Sequence, residues 1–192
     1  MTQTLKFKIN VWDKPISYEL MCKNKIVAEF EVLNDSVQTC HIVIKGKYRE
    51  LIPTYMVSGN ASVGLQTFLL SRHVDFNRTN ARLLLSLMNL TQSKSISNVL
   101  ANRCLSLTDC YWTRKVGEDL EFEDVSLYRR KESKFIVDIS LSGVYEVSNK
   151  FELNSEITNI GSFEKAWKFV NREWRLYKRG TVYNYYVEMF YY

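Results

Sequence analysis

Leu5, Phe7, Ile9 and Val11 alternate with Lys6, Lys8 and Asn10, a period of two that lays one face of a strand on a core. Asp13-Lys14-Pro15 turns the chain, and a second strand is predicted from Ile16 to Cys22. Lys23-Asn24-Lys25 supplies a polar turn, after which Ile26 to Leu33 returns antiparallel with Val27, Phe30 and Val32. Beyond Asn34-Asp35-Ser36, the run Cys40-His41-Ile42-Val43-Ile44 reads as a fourth strand. These segments predict an antiparallel sheet.

From Pro53 the period changes. Asn77-Arg78-Thr79-Asn80 offers side-chain oxygens for the free N–H groups of a first helical turn, and Ala81 to Leu90 follows with Leu83, Leu84, Leu87, Met88 and Leu90 at helical spacing. A second helix is predicted from Ser97 to Cys104, and Ser106-Leu107-Thr108-Asp109 resembles a capped short turn before Tyr111-Trp112. Residues 114–134 are dense in Lys, Arg, Glu and Asp and read as an exposed connector with little regular structure. Trp167, Phe169, Trp174, Leu176 and Lys178 then fit two strands paired around an Asn171-Arg172 turn, and Tyr183 to Tyr192 reads as a short helix. The expected class is α+β. An N-terminal antiparallel sheet with a small helical region occupies 1–113, a connector 114–150, and a β-hairpin with a truncated helix 151–192.

Composition adds bounds. With 46% hydrophobic and 24% charged residues among 192, the chain is a folded protein and not a disordered one. Seven Gly and two Pro leave no low-complexity linker, and no repeat of solenoid length occurs. The net charge of +5 accommodates phosphate ligands or nucleic acid but demands neither, and a mixed solvated surface is the commoner source of such a surplus. Cys22, Cys40, Cys104 and Cys110 lack metal-ligand spacing, and His41 and His73 are far apart, so the cysteines read as buried thiols of a reducing compartment. The N-terminus lacks the form of a signal peptide and no run of 18 apolar residues exists, so a cytoplasmic protein without a membrane span is expected.

Chemistry concentrates in the last third. Gly161 has no Cβ, as backbone approaching phosphate oxygens requires, and successive N–H groups there can form an anion-binding nest. Ser162 adds a hydroxyl and Lys165 a charge. Lys178 on the second hairpin strand can pair with phosphate oxygens, and Glu188 can hold its ammonium in place. Taken singly, these are a loop glycine and ordinary exposed charges; their order along the chain is what points to a phosphate site. Residues 163–180 hold six basic side chains (Lys165, Lys168, Arg172, Arg175, Lys178, Arg179) against Glu164 and Glu173. Interleaved with Trp167, Trp174 and Tyr177, they also suit single-stranded nucleic acid, the rival and less favoured reading.

The strings SLTDCYW, EITNIGSFEKAW and WRLYKRGT, with Tyr185-Tyr186-Val187-Glu188, resemble the N-terminal portion of bacterial HipA-like serine/threonine kinases. The resemblance spans roughly residues 50–192 and is strongest at Ser106–Trp112 and Ile157–Thr181. It implies a regulatory region joined to a kinase-like, ATP-binding N-lobe. Asn159 to Lys165 would cover the phosphates of Mg-ATP, Lys178 would be the phosphate lysine and Glu188 its carboxylate. The sequence contains no H-x-D-x-x-x-x-N and no Asp-Phe-Gly, and no other catalytic or metal-ligating set. An N-terminal fragment or split subunit is therefore expected, inactive alone, meeting a C-lobe polypeptide or another copy of itself through its aromatic C-terminus. The alternative is a non-catalytic toxin–antitoxin-type regulatory module that binds an antitoxin-type protein or nucleic acid.

Overall fold

The computed structural model describes residues 14–77, 81–87, 90, 94–129, 165–179 and 185–189. The predicted strand at Leu5–Val11 and the Arg78–Asn80 part of the predicted helix cap lie outside them. The chain forms an α+β fold with two antiparallel sheets.

Strands β1 (Ile16–Cys22), β2 (Lys25–Leu33) and β3 (Ser36–Ile42) form a meander. Its second turn uses Asn34 and Asp35 at φ 49° and 61°, the left-handed pair that matches the twist of a two-residue hairpin and that short Asn and Asp side chains tolerate. A fourth strand, β4 (Tyr111–Lys115), pairs with β1 in the register Cys22↔Tyr111, Leu20↔Thr113, Tyr18↔Lys115, giving the order β3-β2-β1-β4. Its last two residues, Arg114 and Lys115, fall in the stretch expected to be irregular. Central position buries β1 on both faces: Leu20 is 0% exposed in one core and its neighbour Met21 is 2% exposed in another.

Helices cover the Leu20 face. Helices α1 (Thr54–Val57) and α2 (Ala61–Ser71) follow a 3-10 turn at Gly46–Leu51. The Asn60 side chain accepts from Ser62 N at 2.8 Å and Val63 N at 3.3 Å, capping α2. Leu65, Phe68 and Leu69 then fall on one helical face and pack with Leu20 and Phe30. Gly64 lets α1 sit directly on α2, since a Cβ there would lie 2.9 Å from Met56 Cα and closer still to Tyr55 O. Gln66 covers the start of β3, its Oε1 accepting from Ser36 Oγ and Val37 N, both at 3.1 Å.

Helix α3 (Ala81–Leu87) falls within the predicted 81–90 segment, and α4 (Ile96–Ala101) close to the predicted 97–104. The cap of α4 comes from far away in sequence. Asp35 accepts from Ile96 N (3.1 Å), Ser97 N (2.7 Å), Ser97 Oγ (2.7 Å) and Ser95 Oγ (2.8 Å), tying the β2–β3 turn to the helix.

The first part of the expected connector is built into the core. Helix α5 (Phe122–Val125) carries a capping box, Glu121 N donating to Asp124 Oδ2 at 2.9 Å, and a 3-10 turn follows at Leu127–Arg129. Phe122, Val125 and Leu127 are buried among the charges that made the stretch look exposed.

The second sheet has the order β5-β6-β7: β5 (Lys165–Val170), β6 (Glu173–Arg179) and β7 (Tyr185–Met189). The Asn171-Arg172 turn is as predicted, with φ 54° and 68°. The terminal helix is not. Tyr185–Met189 pairs with β6 as a strand, because Tyr-Tyr-Val suits a pleated surface and β6 offers a full row of ladder groups. The two sheets share a core in which Trp167, Trp174 and Leu176 meet Met21, Leu107, Trp112 and Phe122. The Trp174 indole N–H donates to Tyr128 O at 3.0 Å, and Tyr128 Oη donates in turn toward Leu107 O and Asp109 O at 3.2 and 3.1 Å. No helix among the described residues is long and apolar enough to cross a membrane.

Candidate functional site

The β5–β6–β7 sheet decides which predicted site residues come together. Alternation along a strand sends neighbours to opposite faces, and directly paired residues share a face. The register Lys165↔Lys178, Trp167↔Leu176 and Phe169↔Trp174 puts positions 165 and 178 on the same face as the two buried tryptophans, at the end of the hairpin away from its turn. On the other side of β6, Lys178 pairs with Tyr186 and Leu176 with Glu188. Position 188 is thus the diagonal neighbour of 178 on that face, a separation of roughly 7 Å between backbone positions.

The strand at Tyr185–Met189 therefore overturns the expected helix but still brings Glu188 beside Lys178. Gly161 and Ser162 lie outside the described residues; their chain continues into β5, whose first residue is Lys165. The opposite face of the hairpin is basic and aromatic. Lys168 Nζ stands 4.8 Å from the centre of the Tyr177 ring, and Arg175, paired with Lys168 in the ladder, reaches Glu173 at 3.2 Å.

The SLTDCYW string proves to be a clasp. Asp109 forms an ion pair with Arg72, whose side chain is 7% exposed, and accepts from Tyr111 N at 3.0 Å. Arg72 also donates to Cys104 O at 2.6 Å and lies 4.5 Å over the Phe68 ring. Burial works to neutralise this guanidinium, yet the neighbouring Cys104, then the hydrogen bond and charge of Asp109, and then Tyr111, hold its pKa above the ordinary arginine value. Tyr111 Oη donates to Leu51 O at 3.0 Å and Trp112 Nε1 to Lys23 O at 2.7 Å. Arg72 gave no signal in the sequence, because a buried arginine and an exposed one look alike in a pattern of apolar positions.

A cleft of about 570 Å³ opens between β1, β4 and α4, away from the predicted residues. Tyr18 and Thr113 belong to its lining, with Arg103, Arg114, Lys115 and Glu118 around them. Its charges are largely paired: Arg103 bonds Glu118 at 2.7 Å and Arg114 bonds Glu19 at 2.5 Å. The Arg103 hydrogen bond holds the Glu118 carboxyl below the usual carboxylate range, while burial, and then the Glu118 charge, raise Tyr18.

His73 is structural. Its Nδ1 lies 2.9 Å from Val74 O and its Nε2 3.2 Å from Asn98 Nδ2, a pattern satisfied when Nδ1–H donates and Nε2 accepts. Among the described residues no group of three His, Cys, Asp or Glu side chains is arranged to hold a metal ion. Two of the four cysteines, Cys22 and Cys104, are buried as expected, while Cys40 and Cys110 are half-buried. No protein-family model, curated protein or solved structure matches this chain.

Proposed function

We propose that this chain supplies part of the nucleotide-binding lobe of a HipA-like serine/threonine kinase, with the Gly161–Lys165 segment and Lys178 as its phosphate-binding groups and Glu188 as the carboxylate that orients Lys178. One observation carries the reading: the ladder pairs Lys165 with Lys178 and sets Glu188 diagonal to Lys178 on one sheet face. Two cationic positions and one acidic position at one end of a sheet, with Gly161 and Ser162 shortly before β5 in sequence, form a set suited to a polyphosphate.

In this role the backbone N–H groups around Gly161 and the Ser162 hydroxyl donate to phosphate oxygens. Lys165 and Lys178 neutralise their charge, and Glu188 keeps the Lys178 ammonium from turning away. Mg-ATP, when bound, supplies the phosphoryl group. The chain's own sequence holds neither the aspartate that orients a hydroxyl nor the Asp-Phe-Gly that holds the metal. A C-lobe polypeptide docked beside β7, or a second copy of the chain, is the partner this reading requires.

The test is a thermal shift with Mg-ATP on the wild type and on Lys178→Ala. We expect the nucleotide to raise the wild-type melting temperature and to leave Lys178→Ala unmoved, with Glu188→Gln between them. Equal shifts in wild type and Lys178→Ala, or no shift in either, would sink the assignment.

The opposite hairpin face favours a second reading. Lys168, Tyr177 and Arg175 there present a cation beside an aromatic ring, as a non-catalytic regulatory module binding single-stranded nucleic acid would. Its mark is oligonucleotide binding that weakens steeply with salt, survives Lys178→Ala and ignores ATP.

A further inference from the structure

Cys22 and Cys110 stand 88 residues apart in sequence, yet their sulfurs lie 3.1 Å apart. Both are free thiols. The sheet itself brings them together. Cys22 closes β1 and pairs with Tyr111, the first residue of β4, while Lys23 N donates to Cys110 O at 3.0 Å just beyond that pair. The backbone on both sides is therefore fixed by ladder hydrogen bonds, and the two side chains converge without any rearrangement of the fold.

Their surroundings differ in a useful way. Cys22 is 5% exposed and belongs to the core under the helices. Cys110 is half-buried, at the margin of both cores. The remaining cysteines are elsewhere: Cys104 is 0% exposed behind Arg72, and Cys40 is on β3, with β2 between it and β1. No metal-holding group of His, Cys, Asp and Glu includes the pair among the described residues. Two thiols held this close in a fixed frame are placed for bonding to one another.

We propose that Cys22 and Cys110 are a dithiol modification site that closes to an intramolecular disulfide in exchange with a low-molecular-weight disulfide. Cys110, the sulfur a small molecule reaches first, attacks as the thiolate; one protein–S–S–R bond forms and one RS⁻ leaves, taking up a proton as RSH. Cys22 then gives its proton to solvent and attacks the Cys110 sulfur, releasing the second RSH. Two protein S–H bonds are thereby oxidised to one S–S bond while RSSR is reduced to two RSH. Burial pushes the Cys22 thiol up to about 12, which suits the sulfur that acts second, once an activated partner stands beside it, and not the sulfur that initiates. Closure staples the end of β1 to the start of β4, adding a covalent tie where the two strands already pair.

The reduced full chain is incubated with excess oxidised glutathione, denatured, tagged with a maleimide at every free thiol, and mapped by mass spectrometry. We expect two of the four cysteines to escape tagging, one cross-linked peptide pair joining Cys22 to Cys110, and a rise in melting temperature that dithiothreitol reverses. Cys22→Ser should accumulate a stable glutathione adduct on Cys110, and Cys110→Ser should gain no adduct on Cys22. Four tagged thiols, a wild-type product that stops at the Cys110 adduct, or a bridge to Cys40 or Cys104 would overturn the proposal. Adduct formation on Cys22 in Cys110→Ser at the wild-type rate would overturn the order of attack. Where a serine variant does not fold, the wild-type peptide map decides alone.

Discussion

Asp35 holds α4 from the tip of the β2–β3 hairpin, and replacing it separates two contributions that its position combines. Its carboxylate accepts two backbone N–H groups of the first turn of α4, from Ile96 and Ser97, and two hydroxyls, from Ser95 and Ser97. Its backbone also occupies φ 61°. Glycine adopts that conformation freely, so Asp35→Gly removes the cap and leaves the turn unstrained. Loss of a capping side chain costs about 1–2 kcal/mol, and the partial exposure of the site argues for no more than that. Asp35→Ala loses the same cap and should be about 1 kcal/mol less stable than the glycine variant, because it keeps a Cβ in the left-handed region without the polar side chain that tolerates it there. Asp35→Asn keeps the turn and one acceptor oxygen and should lose about half as much as glycine. In a domain of this size each kcal/mol corresponds to roughly 2–4 °C in Tm.

The pH dependence is a second readout. Burial opposes ionisation of Asp35, but its hydrogen bonds to the Ser97 hydroxyl and N–H, and to Ser95 and Ile96, outweigh it and bring the carboxyl below its ordinary 3.8. A group with a depressed folded-state pKa contributes stability that is fully present above the unfolded value and is lost as pH falls through the folded one. The gap between wild type and Asp35→Gly should therefore be constant above about pH 5 and narrow progressively below 3.8. Urea denaturation followed by circular dichroism at a series of pH values measures it. A glycine variant within about 0.3 kcal/mol of wild type at pH 7, or a gap unchanged down to the acid limit of folding, would refute the reasoning.

Asp109→Ala should destabilise by about 3–5 kcal/mol, because it leaves the nearly buried Arg72 guanidinium without its carboxylate; Arg72→Met with Asp109→Ala should recover most of the loss, measured by urea midpoint. Gly64→Ala should cost about 1–3 kcal/mol by pushing α1 off α2, since the obstructing atoms are backbone and cannot swing aside, and Tm reads it directly. Trp174→Phe preserves the ring's packing but removes the indole N–H that donates to Tyr128 O, a loss of about 1 kcal/mol in the same urea assay.

The meander and the terminal hairpin were legible because their signals are local. Alternation marks β1 and β2, and Asn-Asp and Asn-Arg turns supply the two left-handed residues each hairpin demands. Helix α2 escaped because Val63, 64% exposed, and the helix-weakening Gly64 blur the stripe made by Leu65, Phe68 and Leu69. Phe122, Val125 and Leu127 were hidden by the surrounding acids, which face outward while the three apolar side chains carry the packing. The error at Tyr185–Met189 has a different origin: five residues have no periodicity long enough to choose helix or strand, and the unsatisfied edge of β6 made the choice. For the candidate site, residue types and order were readable, but the juxtaposition of Lys165, Lys178 and Glu188 depends on register, which emerges only from pairing. The Arg72–Asp109 and Cys22–Cys110 contacts were invisible because each joins segments that nothing in the intervening sequence connects.

The pairing of β1 with β4 has a consequence for how the chain is made. A ribosome releases the β1–β2–β3 meander long before Tyr111 is translated, so the central strand of the finished sheet begins life as an open edge. Closing a loop of this length costs entropy that only the completed contacts repay, and such non-local pairing sets a slow step in folding. During that interval the uncovered backbone of Ser17 to Cys22, which includes the apolar Leu20 and Met21, is a surface on which a second nascent copy can add its own strand. Yield in cells should thus be governed less by the stability of the final fold than by how quickly the Tyr111–Lys115 segment arrives to cover its place.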